Sequence, residues 1–331
     1  ESAATNTSVA LCVELGMEGL KGVCNGILRN LIRKKDELVW PDPEIEPDRA
    51  FSIKYSVPEW LSRKLREEFG NEEAERIASF RSDENEINLR MNPTKTDADG
   101  FRRILDRKIW AKREGMLPGT WRVSGAMDIA RDSDFISGYY SIQSESSLMA
   151  CLATKVKRGM KVLDCCAAPG GKTGCMAEMM GGTGRVQAWD IHPHRVKLIE
   201  AQAQRLGLEN IRPILRDATV PREDLNRTMD VVLLDAPCSG LGVIAGKPDI
   251  KMRVTEEGVR ELAALQEKLL DTVCEYVREG GALVYSTCSI LREENEVQIT
   301  AFLGRHPEFE VEKLPETIPE RFRAMEKIGL Q

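Results

Sequence analysis

From about Lys161 onward the sequence alternates short apolar runs with helical stretches, and this pattern constrains the chain more than any other. The runs cover 161–165, 185–190, 211–217, 229–235 and 281–288, and helical periodicity marks 193–206 and 256–278 between them. Strands alternating with helices call for a parallel sheet covered on both faces. The expected fold is therefore α/β and Rossmann-like. Ligands in such sheets sit beyond the carboxyl ends of the strands. Four of the runs end in a polar or reactive side chain: Asp190, Asp217, Asp235 and Cys288.

The first run leads into a turn, Cys166-Ala167-Ala168-Pro169-Gly170-Gly171-Lys172-Thr173. A strand, a glycine-rich turn and a helix N-terminus let a ligand approach the backbone closely. Two nucleotide sites compete for this pattern. A phosphate-binding P-loop would use Lys172 and Thr173, with Asp235 on the metal. It requires glycine at position 166, where Cys166 stands, and Pro169 removes an amide donor from the cradle. An adenosyl cofactor without phosphates fits better. It needs a tight turn beside its methionine end and an acid after the second strand for the ribose hydroxyls. Asp190 stands there, and Asp217, after the third strand, is placed to border the adenine. The plain reading of either carboxylate is a helix N-cap.

Asp235-Ala-Pro-Cys238-Ser-Gly follows the fourth run, and Thr287-Cys288-Ser289 ends the fifth. Cysteine is usually a small buried hydrophobe, and Cys165, Cys175 and Cys274, in apolar stretches, are read that way. Cys238 and Cys288 sit at strand-to-loop junctions among polar residues, where a thiolate can be stabilised and reached. Carbon 5 of a pyrimidine is a poor nucleophile. Thiolate attack on carbon 6 pushes density onto carbon 5, which can then take a methyl group. Asp235 can hydrogen-bond the ring and steady the developing charge. Spacing alone leaves open which cysteine attacks and which assists.

The three motifs, Cys166-Ala-Ala-Pro-Gly-Gly-Lys-Thr, Asp235-Ala-Pro-Cys-Ser-Gly and Tyr285-Ser-Thr-Cys-Ser, resemble in order and spacing those of the RNA 5-methylcytosine methyltransferases of the Nop2/Sun family. The likeness runs from about Tyr139 to Leu314. It implies an S-adenosylmethionine-dependent methyltransferase sheet. It also implies that Cys288 is the nucleophile, that Cys238 aids product release and that Asp235 contacts the target base. The loop of Cys166, Ala167, Ala168, Pro169, Gly170, Gly171 and Lys172, with Asp190, Asp217 and Asp235, would bind the cofactor. Arg195 is a further candidate, and its plain reading is a solvated helix charge.

Gly19-Leu-Lys-Gly-Val-Cys-Asn-Gly-Ile-Leu-Arg29 is similar to the last helix of the NusB-like RNA-binding domain that precedes the catalytic part in the family's ribosomal members. Asn88-Leu-Arg-Met-Asn-Pro93 resembles the strand of their middle domain. The resulting division is 1–40 as the end of a NusB-like helical domain, 41–140 as a small α+β middle domain and 141–331 as the methyltransferase domain. Within these, helices are expected over 9–32, 58–69, 72–80 and 97–113, with a proline-rich linker over 40–47. The chain begins at Glu1, which reads as a cut or processed end. It stops at Gln331, before the final Asp-Gly-Phe-Phe strand expected of the family. The resemblance implies small-subunit ribosomal RNA as partner, before ribosome assembly is complete, and a monomeric protein.

Charge sharpens the partner question. Lys and Arg number 47 against 53 Asp and Glu, a formal net charge of −6. Residues 41–100 hold 9 basic and 15 acidic side chains, whereas 101–160 hold 11 and 6. An RNA-facing patch is thus expected on an acidic chain. No apolar run approaches the ~18 residues of a membrane span. The nine cysteines include no C-x-x-C pair, which fits reduced thiols and a cytoplasmic location. His192-Pro-His194 is read as an exposed loop, so no metal is expected. Two other functions remain in competition: a P-loop-like nucleotide hydrolase, and a non-catalytic RNA-binding assembly factor.

Overall fold

The computed structural model describes residues 2–80, 86–126 and 128–323, so Gln331, where the sequence stops, lies outside the described residues. The chain divides into two units, 1–63 and 64–331. In the first, the helix expected over 9–32 is two helices, Ser2–Glu14 and Lys21–Arg33. Gly16 breaks it at φ +71°, a left-handed conformation that glycine adopts without strain. The apolar residues Val23, Ile27 and Leu31 are exposed rather than packed. A third helix, Pro47–Tyr55, starts on the last proline of the linker, as proline at the first helical position favours.

The helix Glu59–Ser79 runs across the division at 63 and 64 and kinks at Gly70 (φ +78°), which separates the two expected pieces. Four antiparallel strands follow: β1 Glu86–Met91, β2 Ala111–Glu114, β3 Thr120–Ser124 and β4 Tyr140–Ile142, in the order β2-β3-β1-β4. The helix expected over 97–113 spans only Ala98–Asp106, capped by Asp97, which accepts the Gly100 N–H at 2.7 Å. Ala111–Glu114 instead pairs with β3, whose ladder supplies the backbone hydrogen bonds that a longer helix would have given. Leu89, Phe101, Leu105 and Tyr140 fill the core of this layer.

The larger sheet is parallel throughout: β5 Lys161–Asp164, β6 Arg185–Asp190, β7 Ile211–Leu215, β8 Met229–Asp235 and β9 Val277–Ser286, in the order β7-β6-β5-β8-β9. Val231, Val232, Leu233 and Leu234 are all buried, so both faces of β8 are covered, as an unbroken apolar run requires. Pro193–Leu206 is the expected helix, closed by Gly207 at φ +70°. The helix expected over 256–278 ends at Val273, and β9 starts at Val277.

Two arginines join the sheets. Arg90 on β1 pairs with Glu178 in the helix Gly171–Met179, both buried, and donates to Gln143 Oε1 at 2.6 Å. Arg205, at the end of helix 193–206, donates to the carbonyls of Phe135 at 2.6 Å and Tyr140 at 3.0 Å, and its guanidinium lies 4.0 Å from the Phe135 ring centre. The four-stranded sheet is thereby fixed to the helices that carry the glycine-rich turn.

Candidate active site

The turn between β5 and helix 171–179 is built by short backbone contacts. Ala167 N–H donates to Trp189 O on β6 at 2.8 Å, and Gly170 N–H returns to Ala167 O at 2.8 Å. Gly170 takes φ +102°, and a Cβ there would lie 3.3 Å from the backbone of Ile199. At Gly171 nothing lies within 4 Å of a Cβ position, so the helix N-terminus opens onto free space.

The two polar side chains that follow the turn point inward. Lys172 Nζ donates to Asp235 Oδ2 at 2.7 Å, and Thr173 Oγ1 donates to Asp164 Oδ2 at 2.6 Å. Burial draws the Lys172 ammonium down, but Asp235 outweighs it and the net shift is upward, so the lysine stays charged. A P-loop needs this lysine and this hydroxyl free for phosphate and metal, and here both are engaged by carboxylates. The arrangement suits an adenosyl group without phosphates.

Asp190 ends β6 and is 3% exposed. Its Oδ1 accepts the His192 N–H at 3.0 Å, and its Oδ2 lies 3.4 Å from Arg195 Nη1. Arg195 also donates to Ala168 O at 3.0 Å, tying the acid to the glycine-rich turn instead of facing only solvent. Asp217 lies just past β7. Its Oδ1 accepts the Thr219 N–H and hydroxyl, both at 2.8 Å, and these bonds hold its carboxyl below the usual range. It closes a local turn and starts no helix. His192 and His194 are exposed. Strand-end logic also applied to Asp164, which the sequence reading passed over. Burial pushes its carboxyl up to about 7, and its Oδ1 has no hydrogen-bond partner among the described residues.

At the neighbouring strand ends the two motif cysteines meet. Cys238 Sγ and Cys288 Sγ are 3.2 Å apart, and the Cys288 N–H donates to Cys238 Sγ at 3.2 Å. Cys288 is exposed and Cys238 half-buried, whereas Cys165, Cys175 and Cys274 are buried. The hydrogen bond from Cys238, opposed by burial and the charge of Asp235 and helped by Lys172, lowers the Cys288 thiol to about 7. Donating that bond, together with burial, pushes the Cys238 thiol up. Within the pair Cys288 is the lowered thiol and Cys238 the raised one. Asp235 is anchored on the same side by the Ser286 hydroxyl at 2.8 Å. Ser239 and Ser286 lie inside the quoted motifs but were given no role, and Glu294 lies outside them; each acts on a partner about 50 residues away, which local sequence does not show.

The basic excess of 101–160 is largely engaged within the protein. Arg107 pairs with Asp134, Lys112 with Asp106, Arg131 with Asp128 and Lys155 with Glu312. Exposed pairs of this kind are worth about 0–1 kcal/mol, so phosphates can exchange for the acids. Among the described residues no helix is long and apolar enough to cross a membrane.

Residues 151–328 match the family model described as 16S rRNA methyltransferase RsmB/F. The probable ribosomal RNA small subunit methyltransferase B of Bacillus subtilis (strain 168) is 35% identical over 332 residues, covering 99% of this chain and 74% of that protein. A protein of the same description from Synechocystis sp. is 33% identical over 324 residues, covering 96% of this chain and 72% of the other. Among solved structures, PH0851 superposes with a TM-score of 0.81 at 29% identity, covering 93% of this chain and 69% of that one.

Proposed function

The chain belongs to the 16S rRNA methyltransferase RsmB/F family, and we propose that it methylates carbon 5 of a specific cytosine in small-subunit ribosomal RNA through a covalent cysteine adduct. The observation that carries this reading is the thiol pair, 3.2 Å apart at adjacent strand ends, with the exposed member lowered to about 7. The cofactor is S-adenosylmethionine, which when bound supplies an electrophilic methyl group. Loop 166–172, Asp190, Arg195 and Asp217 would hold it, with Asp235 bordering both cofactor and base.

Cys288 forms the bond to carbon 6, and the ring's electrons move to carbon 5, which takes the methyl group. Asp235, held by Lys172 and Ser286, accepts a hydrogen bond from the base and steadies its charge. Loss of the carbon 5 proton then lets the Cys288 sulfur leave, and Cys238 assists that release. The target cytosine has to be unpaired or turned out of its stack to reach the pocket. We read 1–40 as the end of a NusB-like domain, 41–140 as a middle domain and 141–331 as the catalytic domain, in a monomer.

The test is methylation of isolated small-subunit RNA, with the modified nucleotide mapped by mass. Cys288→Ala should abolish transfer while S-adenosylmethionine still binds, and full activity in that variant would remove Cys288 as nucleophile. Cys238→Ala should accumulate an RNA–protein adduct on a denaturing gel. A gel with no such band would remove Cys238 from product release.

A further inference from the structure

The sheet itself does not hold the two thiols together. The last ladder hydrogen bond between β8 and β9 runs from Ala236 N–H to Ser286 O at 2.8 Å, two residues short of each cysteine. Beyond it, Gly242 N–H donates to Cys288 O at 2.8 Å. The Cys288 N–H donates directly to Cys238 Sγ at 3.2 Å, and a further bridge joins the residues that follow each cysteine: the hydroxyl oxygens of Ser239 and Ser289 lie 3.1 Å apart.

Glu294 clamps that bridge. Its carboxylate accepts the Ser239 N–H at 2.8 Å and the Ser239 O–H at 2.5 Å. It also accepts Gln266 Nε2 at 3.1 Å, and the same amide donates to Pro237 O at 2.9 Å, on the residue before Cys238. Glu294 and Gln266 have no exposed surface. The Tyr285 hydroxyl donates to the backbone carbonyl of Glu294 at 2.7 Å, so the residue is fixed at both ends. A carboxylate this buried is costly unless several donors satisfy it, and three of these donors belong to the loop and helix that frame Cys238.

We propose that Glu294, acting through Ser239 and Gln266, is a positioning residue that sets the separation of Cys238 and Cys288. The inference rests on the reading of this pair as the reacting thiols. Glu294 touches neither sulfur. It fixes the loop of one and, through the Ser239–Ser289 bridge, the loop of the other. Loosening it should lengthen the Cys238–Cys288 contact, and Cys288 should then behave as an ordinary thiol.

The experiment measures alkylation of Cys288 by iodoacetamide against pH, read by peptide mass spectrometry on the intact chain. In the wild type the rate should rise through about pH 7. In Ser239→Ala and Glu294→Gln the inflection should move up by about one unit or more, towards the ordinary range of a thiol. Adduct formation should fall at least ~10-fold, with S-adenosylmethionine affinity by calorimetry unchanged. Ser239→Thr, which keeps the hydroxyl, should restore the wild-type profile. Each variant is compared where its circular dichroism matches the wild type. Ser289→Ala leaves the three donors of Glu294 in place and carries the test if Glu294→Gln does not fold. An unmoved inflection in the folded variants overturns the proposal. Methylation that survives Cys288→Ala would instead overturn the nucleophile assignment, and the alkylation profile would still report on the clamp.

Discussion

The protein holds two thiol pairs, and they differ in access: one is buried and one opens to solvent. Cys151 and Cys175 lie beside Arg90 and Lys172, and both are buried; the Cys151 thiol donates to Ser147 O at 3.5 Å and the Cys175 thiol to Met179 Sδ at 3.9 Å. Cys175 is even lowered, first by its neighbour Cys151, against burial. Cys238 and Cys288 have their sulfurs 3.2 Å apart near Lys172, and Cys288 opens to solvent. A neighbouring thiol and a nearby cation are common to both pairs, and exposure is what separates them. Cys151 and Cys175 sit on helices whose cationic neighbour Arg90 is bound to Glu178. The other pair sits where the strands run out and the backbone turns away.

The largest effect should separate the pairs by activity. Cys288→Ala is expected to lower methyl transfer by at least ~10³-fold, as loss of a nucleophile does, whereas Cys175→Ala should stay within about twofold per folded molecule. Comparable losses in the two variants would erase the distinction. Next, Arg90→Ala leaves Glu178 buried and unpaired, at a cost of about 3–5 kcal/mol. Thermal melts should show it, and specific activity of the folded fraction should not. Smaller again is the difference in reactivity. At neutral pH, iodoacetamide should modify Cys288 at least ~10-fold faster than Cys151 or Cys175, and labelling of the buried pair without unfolding would show that its enclosure is not maintained.

A separate effect concerns Asp164, which bonds to the first turn of the helix that carries Cys175. Its carboxyl is raised from 3.8 to about 7 by burial. The folded protein therefore keeps a proton there that the unfolded chain releases, and stability declines as pH rises from about 4 to about 7. Asp164→Asn should flatten that decline in denaturant titrations at pH 5 and pH 7.5. An unchanged slope would mean that Asp164 is already ionised in the fold.

The parallel sheet was legible because its strands carry short apolar runs, four of which lead to a polar or reactive residue, as in Met229–Asp235. The site residues were legible where they sit at those ends. Residues that brace the ends from elsewhere were not. Gln266 lies in mid-helix and Glu294 in an acidic Arg-Glu-Glu-Asn stretch that reads as solvated surface. Only the tertiary packing of helix 256–273 beside the cysteine loops turns them into partners. The short helix at 98–106 was overextended for a related reason: the pairing of Ala111–Glu114 with β3 is a long-range fact that local periodicity does not contain.

The parallel pairing of β8 and β9 also has a kinetic consequence. Their cysteines are separated by 50 residues and by the helix Glu256–Val273, so the chain has to close a long loop before the two sulfurs can meet. Non-local parallel pairing of this kind forms slowly. During refolding, helical signal should return first and the low-pH reactivity of Cys288 last. The reactive thiol is then a clock that starts only when the final described strand has docked.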